Sequence, residues 1–252
     1  MNERSTRAFA DHFSAHAATY ASFRPRYPLA LFHWLALVSP GTALAWDAGT
    51  GNGQVATGLV TRFSRVVATD ASADQIRLAD THARIDYHVA QYESGIADHA
   101  AQLVTVGQAL HWFDADAFCR EARRVLQPGG VLAAFAYVHS RVSTAVDLVV
   151  RQHHDVTLGH YWPPEHHWIH DEYRSIALPI DELVVPPFEL REEWTLAEYT
   201  GFLRSWSGTQ RLIAARGEEP IRAFEQTLAE AWGVLDRRTV TWPLLLRAGE
   251  IR

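Results

Sequence analysis

An α/β fold built on a parallel sheet is predicted by two features of this chain. From residue 42 to 138, short β-rich runs alternate with helical ones, and the first β-rich run opens through three spaced glycines into a helix. Strands joined through helices run in the same direction, which is the βαβ unit.

The elements follow in order. Residues 28–46 form the longest uncharged run, yet Ser39-Pro40-Gly41-Thr42 interrupts it, so it reads as helix, turn and strand and not as a membrane span. Candidate strands are 43–47, 65–70, 86–90, 103–108 and 131–138. Between the fourth and fifth, Phe118, Ala122, Val125 and Leu126 recur at helical spacing. Asp114 and Asp116 open that helix and Arg120, Arg123 and Arg124 follow, as the helix dipole prefers, until Gln127-Pro128-Gly129-Gly130 ends it. Residues 139–187 show no clear period and read as an insertion or lid. In 188–194, Phe188, Leu190 and Trp194 alternate with Glu189, Arg191 and Glu193, which predicts a half-exposed strand near a sheet edge. A helix is expected after Pro220, with Ile221, Phe224, Leu228 and Leu235 inward. Residues 240–246 read as a last strand. Pro243 inside it cannot donate to a ladder, so pairing on one side only, or a bulge, is expected there.

Composition narrows the function. The 252 residues, 48% of them apolar, can fill the core of a single domain spanning 1–252, and disorder is excluded. All 23 basic residues are arginine, which excludes Schiff-base chemistry, pyridoxal-phosphate anchoring and the Walker-type phosphate loop. A net charge of −6 and a pI near 6.1 argue against nucleic acid as a partner and favour a small-molecule substrate. The single cysteine, Cys119, permits neither an internal disulfide nor a thiolate cluster, and the start does not read as a signal segment; a cytoplasmic protein with no membrane partner is expected. Oligomeric state is left open.

The chemistry concentrates in Ala45-Trp46-Asp47-Ala48-Gly49-Thr50-Gly51-Asn52-Gly53-Gln54. Glycines there allow a sharp turn and close approach of a ligand, and the following helix offers free N–H groups, so a nucleotide-like ligand is implied. Gly51, Gly53 and Ala56 also fit the dinucleotide pattern, which keeps a nicotinamide-dependent oxidoreductase open. Asp70 ends the second strand, where a carboxylate accepts ribose hydroxyls or caps the next helix; the preceding glycine turn favours the ribose.

With Asp47 in front, the loop reads D-x-G-x-G-x-G and resembles the first motif of class I S-adenosylmethionine-dependent methyltransferases. Leu126-Gln127-Pro128-Gly129-Gly130 resembles the turn before that family's fifth strand, and Gln108-Ala109-Leu110-His111-Trp112-Phe113-Asp114 its segment after the fourth. Phe13-Ser14, Tyr20, Arg24-Pro25 and Tyr27-Pro28 resemble the N-terminal segment of the small-molecule type 11 group, including trans-aconitate methyltransferases. The resemblance implies a Rossmann-like seven-stranded sheet in the order 3-2-1-4-5-7-6, with strand 7 antiparallel and helices on both faces. It implies an N-terminal lid over 1–30, a cofactor-binding core over 40–138, and the C-terminal part of the sheet over 188–252. S-adenosyl-L-methionine is the implied cofactor. Asp47, Gly49, Gly51 and Gly53 would hold its methionine part, Asp70 the ribose and Ala71 the adenine face. Gln91 and Tyr92 would meet the adenine edge, and Gln108 the amine or sulfonium. The implied activity is methyl transfer to a small carboxylate, hydroxyl or amine; a non-catalytic protein that kept the cofactor fold is the other alternative.

His111, just past the fourth strand, is a candidate general base or a partner within its turn. Tyr20 is a second candidate catalytic residue, and Arg24 could reach a carboxylate of cofactor or substrate. His153, His154, His160, His166, His167 and His170 cluster in the chain, but their spacings fit no H-E-x-x-H helix, so no metal is expected. Trp162, Trp168 and Trp206 are candidates to line a substrate pocket or to pack the core.

Overall fold

A computed structural model describes residues 24–252; Tyr20 and most of the expected N-terminal lid lie outside the described residues. The order of elements is α1 (Leu29–Val38), β1 (Leu44–Ala48), α2 (Gln54–Leu59), β2 (Arg65–Asp70), α3 (Ala73–Arg77), β3 (Ile85–Val89), β4 (Ala101–Gly107), α4 (Ala115–Val125) and β5 (Leu126–Ala136). There follow α5 (Thr144–Gln152), α6 (His167–His170), β6 (Ile180–Glu182), β7 (Glu189–Thr195), α7 (Leu196–Arg204), α8 (Ser207–Arg216), α9 (Glu219–Trp232), β8 (Arg237–Pro243) and β9 (Leu245–Ile251).

The main sheet runs β3-β2-β1-β4-β5-β9-β6. The first five strands pair in parallel and β9 is antiparallel to β5, so by the sheet's own strands the order is 3-2-1-4-5-7-6 as expected. Alternation sorts the central strands between two cores. Ala45, Leu103 and Val131 face one side with Phe32, Leu59 and Phe135, while Trp46, Val104 and Leu132 face the other with Phe118 and Ala122. Strands buried on both faces need apolar residues at every position, which explains runs such as Val131-Leu132-Ala133-Ala134-Phe135-Ala136.

α4 forms where its spacing predicts, with Phe118, Ala122 and Val125 buried and the Asp114 side chain accepting from the Ala117 N–H at 3.0 Å to cap it, but it ends at Val125: Leu126, expected on its face, pairs with Ala101 as the first residue of β5, and Gln127-Pro128-Gly129-Gly130 lies within that strand. The Asp70 carboxylate is not the next cap. Ser72 caps α3, accepting from the Gln75 N–H at 3.3 Å.

The C-terminal third differs from expectation in three ways. β7 does not join the main sheet; it pairs antiparallel with β8 in a separate two-stranded sheet, Leu190 opposite Trp242. Its alternation is real, with Leu190 and Trp194 buried, but alternation identifies a half-buried strand and not its neighbour. Second, the expected strand over 240–246 is two strands, which Leu244 divides just after Pro243: β8 belongs to the small sheet and β9 to the large one. Third, Leu235 lies past the left-handed Gly233 that ends α9 and is 54% exposed, whereas Ile221 and Leu228 are buried as expected. The two-stranded sheet packs with α5, α7, α8 and α9 in a third core rich in Trp194, Tyr199, Phe202, Trp206, Trp232 and Trp242.

Residues 139–187 are ordered without a steady period. α5 runs into a π-helical turn at His153–Thr157, and a 3₁₀ turn at Pro164–His166 precedes α6; neither keeps the spacing of 3.6. β6 then adds the last edge of the main sheet, antiparallel to β9.

Candidate active site

A cleft of about 920 Å³ lies beyond the carboxyl ends of the parallel strands. Its wall is built from the turn after β1 (Gly49, Gly51), the end of β2 (Asp70, Ala71), the segment after β3 (Gln91), and the end of β4 (Gln108, Ala109). Arg24, Tyr137, Trp112 and Phe113 complete it. The cofactor-binding residues expected from the sequence are thus largely brought together.

The glycine turn has a reason at each position. Gly49 sits at φ +67°, and a Cβ there would stand 2.6 Å from the Ala109 Cβ. Gly53 sits at φ +87°, with a would-be Cβ 2.2 Å from the Tyr87 hydroxyl, and it does not line the cleft. At Gly51, φ +57°, only the Gln75 side chain comes within 4 Å, so conformation alone requires glycine.

Asp47 lies beneath this turn with no exposed surface. The Thr50 hydroxyl donates to its Oδ2 at 2.6 Å and the Thr105 hydroxyl to its Oδ1 at 2.9 Å. Burial pushes its pKa up to about 7, against the pull of those hydrogen bonds. Asp47 therefore braces the turn from below. Thr50 and Thr105 were not singled out from the sequence, since a threonine in a turn and another in a strand carry no distinctive spacing.

Asp70 stands at the cleft wall, its Oδ2 accepting from the Gly51 N–H and its Oδ1 from the Ser72 N–H, each at 2.8 Å. A pyrophosphate laid on this turn would meet that carboxylate, whereas a ribose or a cationic ligand would be bonded or attracted by it. Gln108 adopts a left-handed conformation at φ +57°, with its Nε2 donating to the Tyr137 carbonyl at 2.9 Å. A non-glycine residue held there is local strain at the rim of a site. Tyr92 does not line the cleft; its hydroxyl accepts from the Asp114 N–H at 2.7 Å and its ring packs on Phe113, a cleft wall.

A second cavity of about 620 Å³ adjoins the first, and Arg24, Gln108, Trp112 and Tyr137 border both. His111, His154, Trp162, His166, Phe202 and Trp206 are among its other walls. Trp162 and Trp206 thus line a pocket, whereas Trp168 packs against the main core. His111 is 7% exposed, its Nδ1 lies 3.0 Å from the Tyr173 hydroxyl, and burial pushes its pKa down to about 3. It is neutral at neutral pH and a weak base. Tyr173, from the aperiodic segment, had no signal in the sequence. Arg24 donates to the Tyr137 hydroxyl at 3.2 Å.

The residues fit S-adenosylmethionine. The first cleft combines apolar faces (Ala71, Val55, Phe113) with polar edges (Asp70, Gln91, Gln108), and carries a carboxylate where a cationic ligand is favoured. Bound there, the cofactor supplies an electrophilic methyl group on its sulfonium. No described helix is long and apolar enough to cross a membrane.

Comparison with known proteins agrees. The methyltransferase domain family called Methyltransf_11 matches residues 46–134. A solved structure named as a type II methyltransferase, from Anaeromyxobacter dehalogenans, is 40% identical with a TM-score of 0.85, over 90% of this chain and 98% of that one. A Dictyostelium discoideum protein named as a methyltransferase is 28% identical over 90% of this chain and 89% of its own. The YcgJ protein of Bacillus subtilis, 17% identical over 89% of this chain and 97% of its own, shares the fold at a TM-score of 0.52. The cofactor cleft, the strand order and these relatives together set aside the oxidoreductase and the non-catalytic alternatives: the chain belongs to the class I S-adenosylmethionine-dependent methyltransferases.

Proposed function

We propose that this methyltransferase acts on a small molecule bound in the second cavity. The observation that carries the reading is the shared partition of Arg24, Gln108, Trp112 and Tyr137 between the two cavities. An acceptor in one would lie beside the methyl donor in the other, and its nucleophilic atom would pass between these side chains to meet the methyl carbon in line, as displacement needs. Asp70, Ala71 and Gln91 would hold the nucleoside, the Gly49 to Gly53 turn the methionine part, and Gln108 the amine or sulfonium end. Asp47 would act on the methionine part through the turn.

Carboxylate, hydroxyl and amine acceptors all fit the class. Arg24 at the partition favours a carboxylate, as does a neutral His111 that is a weak base, since a carboxylate must lose no proton. The resemblance of the N-terminal segment to trans-aconitate methyltransferases points the same way. His111 would then hold the acceptor by hydrogen bonding.

The test is a screen of small acids, phenols and amines with methyl-labelled S-adenosylmethionine, followed by Trp206→Ala on any acceptor found. A raised KM for the acceptor with unchanged S-adenosylhomocysteine affinity supports the reading. Methylation of protein or nucleic acid in place of small molecules refutes it.

A further inference from the structure

Four histidines that the sequence scatters over 32 positions converge beside the second cavity, two of them, His154 and His166, on its wall. His139 follows β5, His154 lies in the π-helical turn, His166 immediately precedes α6 and His170 is its last residue. One ring nitrogen from each of His154, His166 and His170 lies within 4.8 Å of the others. The spacing argument missed this because the ligands belong to separate turns, and because His166 and His170, one helical turn apart, lack the intervening glutamate of the usual motif.

We propose that His154, His166 and His170 form a three-histidine centre for a zinc-class divalent cation, with its open position toward the second cavity. The His154 and His166 Nε2 atoms are 3.3 Å apart. Two nitrogens each ~2.0–2.1 Å from a tetrahedral zinc ion stand about 3.3 Å from one another, so the pair already has the edge length of that polyhedron.

The surroundings are those of a ligand set. The His154 Nδ1 is 2.7 Å from the Asp155 carboxylate, which fixes the ring and leaves Nε2 to face the cluster, as carboxylates behind metal-bound histidines do. The His166 ring stacks on Trp162 at 3.9 Å and 6°, and Trp206 stands edge-on to His154 at 5.4 Å, so the rings have little freedom to turn away. Three nitrogen donors without thiolate suit zinc or cobalt(II). His139, whose ring centroid is 4.7 Å from that of His154, flanks the set.

Three protein ligands leave a fourth position, and His154 and His166 both line the cavity proposed above for the acceptor. Resting on that reading, the open position would take an oxygen, nitrogen or sulfur lone pair at one end of the acceptor and anchor it in the second cavity, leaving the nucleophilic atom free to reach the methyl carbon.

The experiment uses tag-free full-length protein, dialysed against chelator and titrated with cobalt(II). One equivalent per chain with the intense visible bands of four-coordinate cobalt is expected. His170→Ala and His166→Ala should each weaken binding by at least about 100-fold, and Asp155→Asn by roughly 10-fold, while His167→Ala, a neighbour outside the set, leaves it unchanged. His170 and Asp155 are exposed, so those variants keep the fold if His154 does not tolerate change. Substoichiometric binding, six-coordinate spectra, or equal binding by His170→Ala and the unaltered protein overturns the centre. The titration needs neither cofactor nor acceptor, so its failure leaves the proposed acceptor class standing. Cobalt binding that no methyl acceptor perturbs would overturn the role of the open position and leave the centre.

Discussion

Replacing Asp47 by asparagine tests the brace beneath the glycine turn. The carboxyl is raised from 3.8 to about 7 in the folded protein, chiefly by burial. Between those values the folded chain holds a proton that the unfolded chain has released, so stability falls as pH rises through this window. A shift of this size corresponds to at most about 4 kcal/mol, fully retained below pH 4 and fully lost above pH 7. Asparagine keeps the shape and has no proton to lose, and the Thr50 and Thr105 hydroxyls can each donate or accept. The Asp47→Asn variant should therefore gain on the unaltered protein steadily from pH 4 to 7 and no further beyond. Urea unfolding of both proteins in half-unit steps across that range measures the difference directly. A difference flat with pH would refute the burial argument. The same variant should bind S-adenosylhomocysteine nearly as well as the unaltered protein, because both carboxylate oxygens are turned to threonines and not to the cleft.

Asp70→Ala should weaken S-adenosylhomocysteine binding by about 1–3 kcal/mol, the worth of a hydrogen bond to a charged group; unchanged affinity by calorimetry with the fold intact removes the ribose assignment. Gly53→Ala should destabilise by more than about 2 kcal/mol, since backbone strain adds to a collision with the Tyr87 hydroxyl, and Tyr87→Phe should recover part of the loss. Gly51→Ala, where space is open, should cost only about 1 kcal/mol, and thermal melts giving the two glycine variants equal losses would refute the steric distinction. Arg24→Ala should lower kcat/KM at least about tenfold, and an unchanged rate would remove that arginine from the partition's function.

Legibility from sequence followed periodicity. β2 over 65–70 and α4 could be read almost to the residue because local pattern and tertiary burial agree there. Asp70, Gln91 and Gln108 could be placed at strand ends, where the topology makes them neighbours. What stayed hidden depended on contacts between distant segments: the small sheet of β7 and β8, the bond of His111 to Tyr173, and the histidine convergence. No local pattern encodes which strand becomes a partner, and irregular π and 3₁₀ turns erase the only periodicity that could have marked the segment between β5 and β6.

The passage of the chain from β8 to β9 through Leu244 bears on how anything enters the enzyme. β9 is clamped between β5 and β6, and within one residue the same strand path becomes the floor of the tryptophan-rich layer. Arg141 and Thr241 exchange N–H bonds at 2.7 and 2.9 Å, stitching that layer to the segment after β5 a second time. Swinging the layer outward like a cover would have to bend the chain at Leu244, break both Arg141–Thr241 hydrogen bonds and open the third core. Among the described residues, traffic between the two cavities is cheaper by rotation of individual side chains around Arg24 and Trp112, so that passage would be set by the width of a doorway and not by the motion of this wall.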